Sequence, residues 1–263
     1  MDQLFPHGLS NTARYSCPKL LEVQLNHFAG GGAAVALSIS HKLADGATIA
    51  NFMSHWSTIT RGGTPKNPWF ISPSGQNNKV TVPKFEIKDK DKVKYHAVSA
   101  ASTNSGSLKP SNLSVAVNLR KKFVEKNPET VVGNLFTLAI AKMADSGELR
   151  LSEVIAEARK AKMEFEGLKD EVEVVEQLLK TYSTIQGGIY YSSSQCRLPY
   201  NDVDFGWGKP VEVTVRIPDV EENTLMLLDT PSEDGITALV HIPEEEMTVL
   251  LKDKEFLSYV VDA

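Results

Sequence analysis

The sequence is poor in cysteine: Cys17 and Cys196 are the only two in 263 residues. Two are too few for a disulfide framework, and neither sits in a metal-ligand pair, which excludes stapled scaffolds and zinc modules. One bridge between them is compatible with the sequence, but reduced thiols in a cytoplasmic chain are the expectation. Long apolar runs are also missing, and none reaches the roughly 18 residues needed to span a bilayer. The opening MDQLFPHGLSNTARYSCPK has no basic stretch followed by an apolar one, so no signal peptide and no membrane association are expected. Basic charge is in deficit: 28 Lys and Arg stand against 33 Asp and Glu, a net charge of -5. That argues against nucleic-acid binding, while a small polyanionic ligand stays compatible because local Lys or Arg clusters can oppose the total. His7, His27, His55, His96 and His241 are scattered without metal-ligand spacing, so no metal is expected. Repeats and low-complexity tracts are absent.

What is present is ordinary globular material, 41% hydrophobic and 23% charged. Leu20 to Phe28 largely alternates apolar and polar, as a strand does, and Ala33 to Ser40 reads as a second strand. With Gly30 to Gly32 between them they predict a hairpin, although a strand buried on both faces is also compatible with the second run. A phosphate cradle at the glycines is disfavoured because no helix starts directly after them. His41 to Gly46 (HKLADG) follows, then Ala47 to Thr60, where Ile49, Phe52, Met53 and Trp56 recur at helical spacing. His41 is therefore expected in the turn between a strand and an amphipathic helix. From residue 61 to about 111 the chain turns rich in Gly, Pro, Ser, Asn and charge, which reads as a connection between domains. Beyond it the sequence predicts a strand over Leu113 to Leu119, a short apolar helix over Leu135 to Met143 and one long helix from Leu151 to about Tyr182. Four further strands are expected over Gly188 to Ser192, Val211 to Ile217, Thr224 to Leu228 and Ile236 to Ile242. Asp234-Gly235 signals a turn between the last two, and Pro243-Glu-Glu-Glu-Met opens a final short helix with Pro in its first turn. The order is that of an α/β chain built largely of mixed sheet.

Two short patterns carry chemistry. In His41…Asp45-Gly46 a neutral imidazole can act as general base near neutral pH. Asp45 can orient it or simply cap the following helix. Alone, the pattern reads in the first place as a surface turn with an N-capping Asp. The run Asp204-Phe205-Gly206-Trp207-Gly208 is far more specific. Its glycines permit backbone angles closed to other residues, and its two aromatics can anchor a loop, so its expected role is structural.

In this order the two motifs resemble those of the plant BAHD acyltransferases, with HxxxDG in the first half and DFGWG near the C-terminus. The likeness extends over NHFAGGGAAVALSISHKLADGATIANFMSHW, VAVNLRKK at 115–122, GNLF at 133–136 and CRLPYNDVDFGWGKP at 196–210. It implies an α/β fold of two chloramphenicol-acetyltransferase-like mixed-sheet domains, the first incomplete. On that basis residues 1–60 are a partial N-terminal acyltransferase domain carrying HxxxD. Residues 61–111 are a crossover linker, and 112–263 a C-terminal acyltransferase domain carrying DFGWG. The activity implied is transfer of an acyl group from acyl-CoA, a co-substrate rather than a bound cofactor, to a small-molecule alcohol or amine acceptor. His41 takes the catalytic role of general base, and Asp45 a structural or orienting one through an Arg contact, for which Arg120 is the candidate. Asp204, Phe205, Gly206, Trp207 and Gly208 form the structural motif away from the reaction centre. Ser193, just before the Arg197-Leu198-Pro199 stretch, matches the place of a possible oxyanion donor, although a solvated serine at a strand end is equally compatible. Gln195 stands where many members have Trp. Lys121 and Lys122 are either coenzyme A contacts or ordinary exposed lysines. A monomer is expected.

The chain is short for this family. Only 40 residues precede His41, and a second piece is missing near Lys84 to His96. A sheet deprived of strands leaves an open edge and apolar faces uncovered. The alternative reading is accordingly a truncated, non-catalytic relative acting as an interaction protein, or an incomplete gene product.

Overall fold

The computed structural model describes residues 2–6, 19–70, 111–143, 150–216 and 223–260. Most of the connection expected over 61–111 therefore lies outside the described residues, as do Cys17, His7 and His96. The first hairpin forms as expected: β1 (Leu21–His27) pairs antiparallel with β2 (Ala33–Ile39). Its turn is closed by Gly31 N–H donating to Phe28 O, with Gly31 at φ +92°, so these glycines serve the turn. The alternation of β1 faces an unusual way. Leu21, Val23 and Leu25 are exposed, while Glu22, Gln24 and Asn26 turn inward, where Asn26 Nδ2 donates to Leu4 O.

Helix α1 (Gly46–Thr60) starts where Asp45 accepts from Thr48 N–H. It stops at Gly62, whose φ of +76° lets the chain turn back so that Gly62 and Gly63 N–H donate to Ile59 O and Thr58 O. The short β3 (Trp69–Phe70) ends the first described half. The second half runs through β4 (Ser111–Asn118), α2 (Arg120–Phe123), β5 (Val131–Val132), β6 (Phe136–Lys142), α3 (Leu151–Met163) and α4 (Glu171–Tyr182). It continues with β7 (Gly188–Ser194), β8 (Thr224–Asp229), β9 (Ile236–His241), α5 (Glu244–Leu250) and α6 (Lys254–Leu257). Five of these strands form one mixed sheet in the order β6-β4-β7-β8-β9, parallel across β4-β7-β8 and antiparallel at both ends. The pair β3-β5 joins the two halves in parallel. Helices α3 and α4 cover β6, and Leu119, Ala139, Ala141, Ala161, Phe165 and Val174 make the buried core between them.

Four expectations are corrected. Leu135 to Met143 is not a helix but the edge strand β6. Its Thr137, Ala139, Ile140 and Ala141 are all buried, which erases the alternation that would have marked it as a strand. The long helix is two helices, because Asp170 caps a fresh start by accepting from Val172 and Glu173 N–H. No strand forms over residues 211–216, which pair with no neighbour among the described residues. Pro243 lies one place earlier than expected, at the cap of α5 rather than in its first turn.

Candidate active site

The residues of the HxxxDG turn divide sharply by environment. His41 is exposed; Asp45, four positions on, is buried. The Asp45 carboxylate accepts four hydrogen bonds: from Thr48 N–H at 2.9 Å and Arg120 Nη2 at 2.8 Å on Oδ1, and from Arg120 Nη1 at 2.7 Å and Leu135 N–H at 3.1 Å on Oδ2. That occupies the acceptor capacity of a carboxylate and leaves none for the His41 imidazole. Burial pushes the Asp45 carboxyl up. The Arg120 hydrogen bond, the Thr48 amide, the Arg120 charge and the Leu135 amide together outweigh that and hold it below its ordinary value of 3.8.

Arg120 is only 2% exposed. It is the first residue of α2, directly after β4 and Leu119, and its backbone N–H donates to Asn118 Oδ1. Beyond the two bonds to Asp45, its Nη2 donates to Thr48 Oγ1 and Gly133 O at 2.9 Å each, and its Nε to Val131 O at 3.2 Å. Thr48 completes the cluster by donating to Gly133 O and accepting from Gly133 N–H. A charge this deeply buried is tolerable only with its donors satisfied in this way. The structure thus brings together Asp45 and Arg120, as expected. Thr48 and the GNLF run carry no local signal in the sequence that assigns them a part in this cluster. Within GNLF, Gly133 and Leu135 meet the ion pair, Asn134 Nδ2 donates to His41 O at 2.6 Å, and the Phe136 ring lies 5.8 Å from the His41 ring.

The other end of α1 is fixed by the DFGWG run. Asp204 Oδ1 accepts from Gly206 and Gly208 N–H, both glycines at φ of about +100° where other residues are strained, and Oδ2 accepts from Arg61 at 3.1 Å. Those two amides and the Arg61 contact, against a small burial cost, hold the Asp204 carboxyl below its usual value. Phe205 meets Trp56 edge-on, centroids 4.9 Å apart, while Trp207 is 68% exposed. A helix rises about 1.5 Å per residue, so DFGWG sits about 20 Å from the Gly46 end.

Ser193, near the end of β7, is half-buried, and its Oγ accepts from Gln195 Nε2 at 3.2 Å. Tyr200, which carries no signal of its own in the sequence, donates its hydroxyl to Gly46 O at 3.1 Å; burial, with the Asp45 charge adding to it, raises its pKa far above the usual phenol range. Lys122 is engaged locally, donating to Glu166 O and lying over the Phe123 ring; Lys121 is exposed. Cys196 carries a free thiol. No group of three candidate metal ligands exists among the described residues, and none of their helices is long and apolar enough to cross a membrane. A groove of about 370 Å³ between β6, α3 and α4 is lined by Lys142, Glu157, Lys160, Glu164 and Lys180 among others, none of which belongs to the Asp45 cluster.

A profile of the Transferase family matches residues 2–97 and 92–257. The chain belongs to the Transferase family. These are the BAHD acyltransferases whose motifs it carries. Akuammiline synthase 1 of Alstonia scholaris is 32% identical, the match covering 98% of this chain and 71% of that protein. Deacetylvindoline O-acetyltransferase of Catharanthus roseus is 30% identical over 90% of this chain and 68% of its own length. Among solved structures, vinorine synthase superposes with a TM-score of 0.66 at 27% identity, over 91% of this chain and 66% of that one. The chain thus spans about two thirds of the length of these relatives. The akuammiline synthase alignment runs over 304 positions against 263 residues here, so that relative carries internal segments without counterpart in this chain. The two family segments meet at 92–97, at the edge of the stretch where the sequence indicates a missing piece.

Proposed function

We propose that this BAHD chain transfers an acyl group from a coenzyme A thioester to a hydroxyl or amine of a small secondary metabolite, with His41 as general base. The observation that carries the proposal is the division of labour in the HxxxDG turn. Asp45 is fully used in anchoring the turn to Arg120, while His41 stands exposed at its mouth on a backbone fixed by Asn134. In the proposed step the imidazole takes the acceptor proton as its oxygen or nitrogen attacks the thioester carbonyl. The tetrahedral intermediate then expels the coenzyme A thiolate, which recovers the proton from His41. Ser193 is the candidate donor to the oxyanion of that intermediate. Acceptors of alkaloid type are suggested by the relatives. Action as a monomer in the cytoplasm completes the proposal.

The test is release of free thiol from acetyl-CoA in the presence of a panel of alcohols and amines. Loss of one general base costs about 10²- to 10⁴-fold, so His41→Ala is expected to fall by that factor with an unchanged melting curve. Undiminished turnover in His41→Ala would refute the role. The exposed row Leu21, Val23 and Leu25 favours a second reading, a non-catalytic interaction protein. That reading predicts no thiol release with any acceptor and self-association or partner capture lost on Val23→Lys.

A further inference from the structure

The side chain of Gln195 is packed onto the glycine of HxxxDG. A Cβ placed on Gly46 would lie 2.0 Å from Gln195 Oε1 and 2.7 Å from its Cδ and Nε2, far inside van der Waals contact. Tyr200, five residues further on, grips the Gly46 carbonyl. The backbone of Gln195 is fixed as well, its N–H donating to Leu227 O at 2.8 Å. From this backbone the carboxamide donates from Nε2 to Ser193 Oγ, while its Oε1 is buried without a partner among the described residues.

A serine hydroxyl has one proton and two lone pairs. Because Nε2 donates to it, the Ser193 proton must point elsewhere and stays available for another acceptor. We infer that Gln195 is a positioning residue: wedged against Gly46, it occupies one lone pair of Ser193 and so keeps the Ser193 proton free for an oxyanion formed beside the His41 turn. This rests on the acyl-transfer function proposed above. A carboxamide turned the other way would accept the Ser193 proton and use it up, so the direction of the Nε2 bond is the critical feature.

The inference is tested on the full chain with two independent readouts. Melting judges the packing without any need for activity. Gly46→Ala is expected to lower the midpoint, and Gly46→Ala combined with Gln195→Ala to restore most of the loss, because the second change vacates the space. A Gly46→Ala chain that melts like wild type overturns the wedge. Turnover judges the chemistry. Gln195→Met, which keeps the bulk and loses the donor, is expected to lower kcat about tenfold with KM unchanged. Gln195→Glu offers only acceptors when ionised and should capture the Ser193 proton. Its kcat is therefore expected to fall further near neutral pH, and its ratio to wild type at the same pH to rise as the carboxyl takes a proton, since the loss of His41 as a base on acidification is common to both chains. Gln195→Met at or above wild-type kcat, or Gln195→Glu with a wild-type pH profile, overturns the role. A wild-type chain that releases no thiol overturns the acyl-transfer function and the catalytic part of this inference together, while the melting arm still decides whether the wedge exists.

Discussion

Replacing Asp45 with Asn is the sharpest perturbation of the cluster beneath His41. Asn matches the shape of Asp, but its amide presents hydrogens where Asp45 Oδ2 now accepts from Arg120 Nη1 and Leu135 N–H. It also leaves the Arg120 guanidinium, 2% exposed, without a counter-charge. Breaking a buried pair from one side costs about 3–5 kcal/mol. For a chain of 263 residues that corresponds to a midpoint lowered by about 6–10 °C. Circular dichroism melts at pH 7 read the loss directly. The pH dependence supplies a second signature. Because the folded-state carboxyl lies below its ordinary value of 3.8, its stabilisation is complete above that value and disappears as the pH falls through the depressed one. The gap between wild type and Asp45→Asn is therefore expected to close only on strongly acidic titration. The double variant Asp45→Leu with Arg120→Met is expected to lose less than either single change, since it removes both charges together. An Asp45→Asn midpoint within about 1 °C of wild type, or additive losses in the double variant, would refute the reasoning.

Other expected outcomes follow from neighbouring contacts. Thr48→Val keeps the shape but strips a hydroxyl that donates to Gly133 O and accepts from Arg120 and from Gly133 N–H; urea titration is expected to show a loss of about 1–3 kcal/mol. Trp56→Ala and Phe205→Ala break one edge-on pair, so a double-mutant cycle is expected to return a coupling of about 0.5–1.5 kcal/mol. Additivity there would show that DFGWG is not fastened through this contact. Leu228→Ala, at 2% exposure in the central sheet, is expected to cost about 2–5 kcal/mol and to leave the KM for acyl-CoA unchanged.

The motifs were legible where a single residue type carries a single job. Asp45 as a helix cap, glycines 206 and 208 at angles others avoid, and Phe205 as an anchor could all be read from the chain. Arg120 entered only through family resemblance, because nothing in NLRKK says that one basic residue turns inward while the next two face water. Thr48 and Gly133 were invisible for a related reason: they meet across 85 residues, and neither is unusual in its local setting. Strand β6 was misread because LFTLAIAK is buried on both faces, so its pattern has no period to detect. The break between α3 and α4 did leave a signal, Gly167 followed by Asp170 ahead of a glutamate-rich turn, which capping chemistry explains. Residues 211–216 alternate well and still form no strand, since a strand needs a partner edge and none among the described residues pairs with them.

The two-ended fastening of α1 also bears on how the molecule comes into being. Asp45 meets Arg120 across 75 residues, Arg61 meets Asp204 across 143, and Gly46 meets Tyr200 across 154. Contacts this distant close late, after local structure has shortened the effective chain, and topologies rich in them fold slowly. During synthesis the turn bearing His41 is made before its distant supports, and it cannot take its final shape until the chain 154 residues beyond Gly46 has emerged. The part of the chain that would do chemistry is made before the residues that fasten it and finished only after them, which places its vulnerability to misfolding in the interval between.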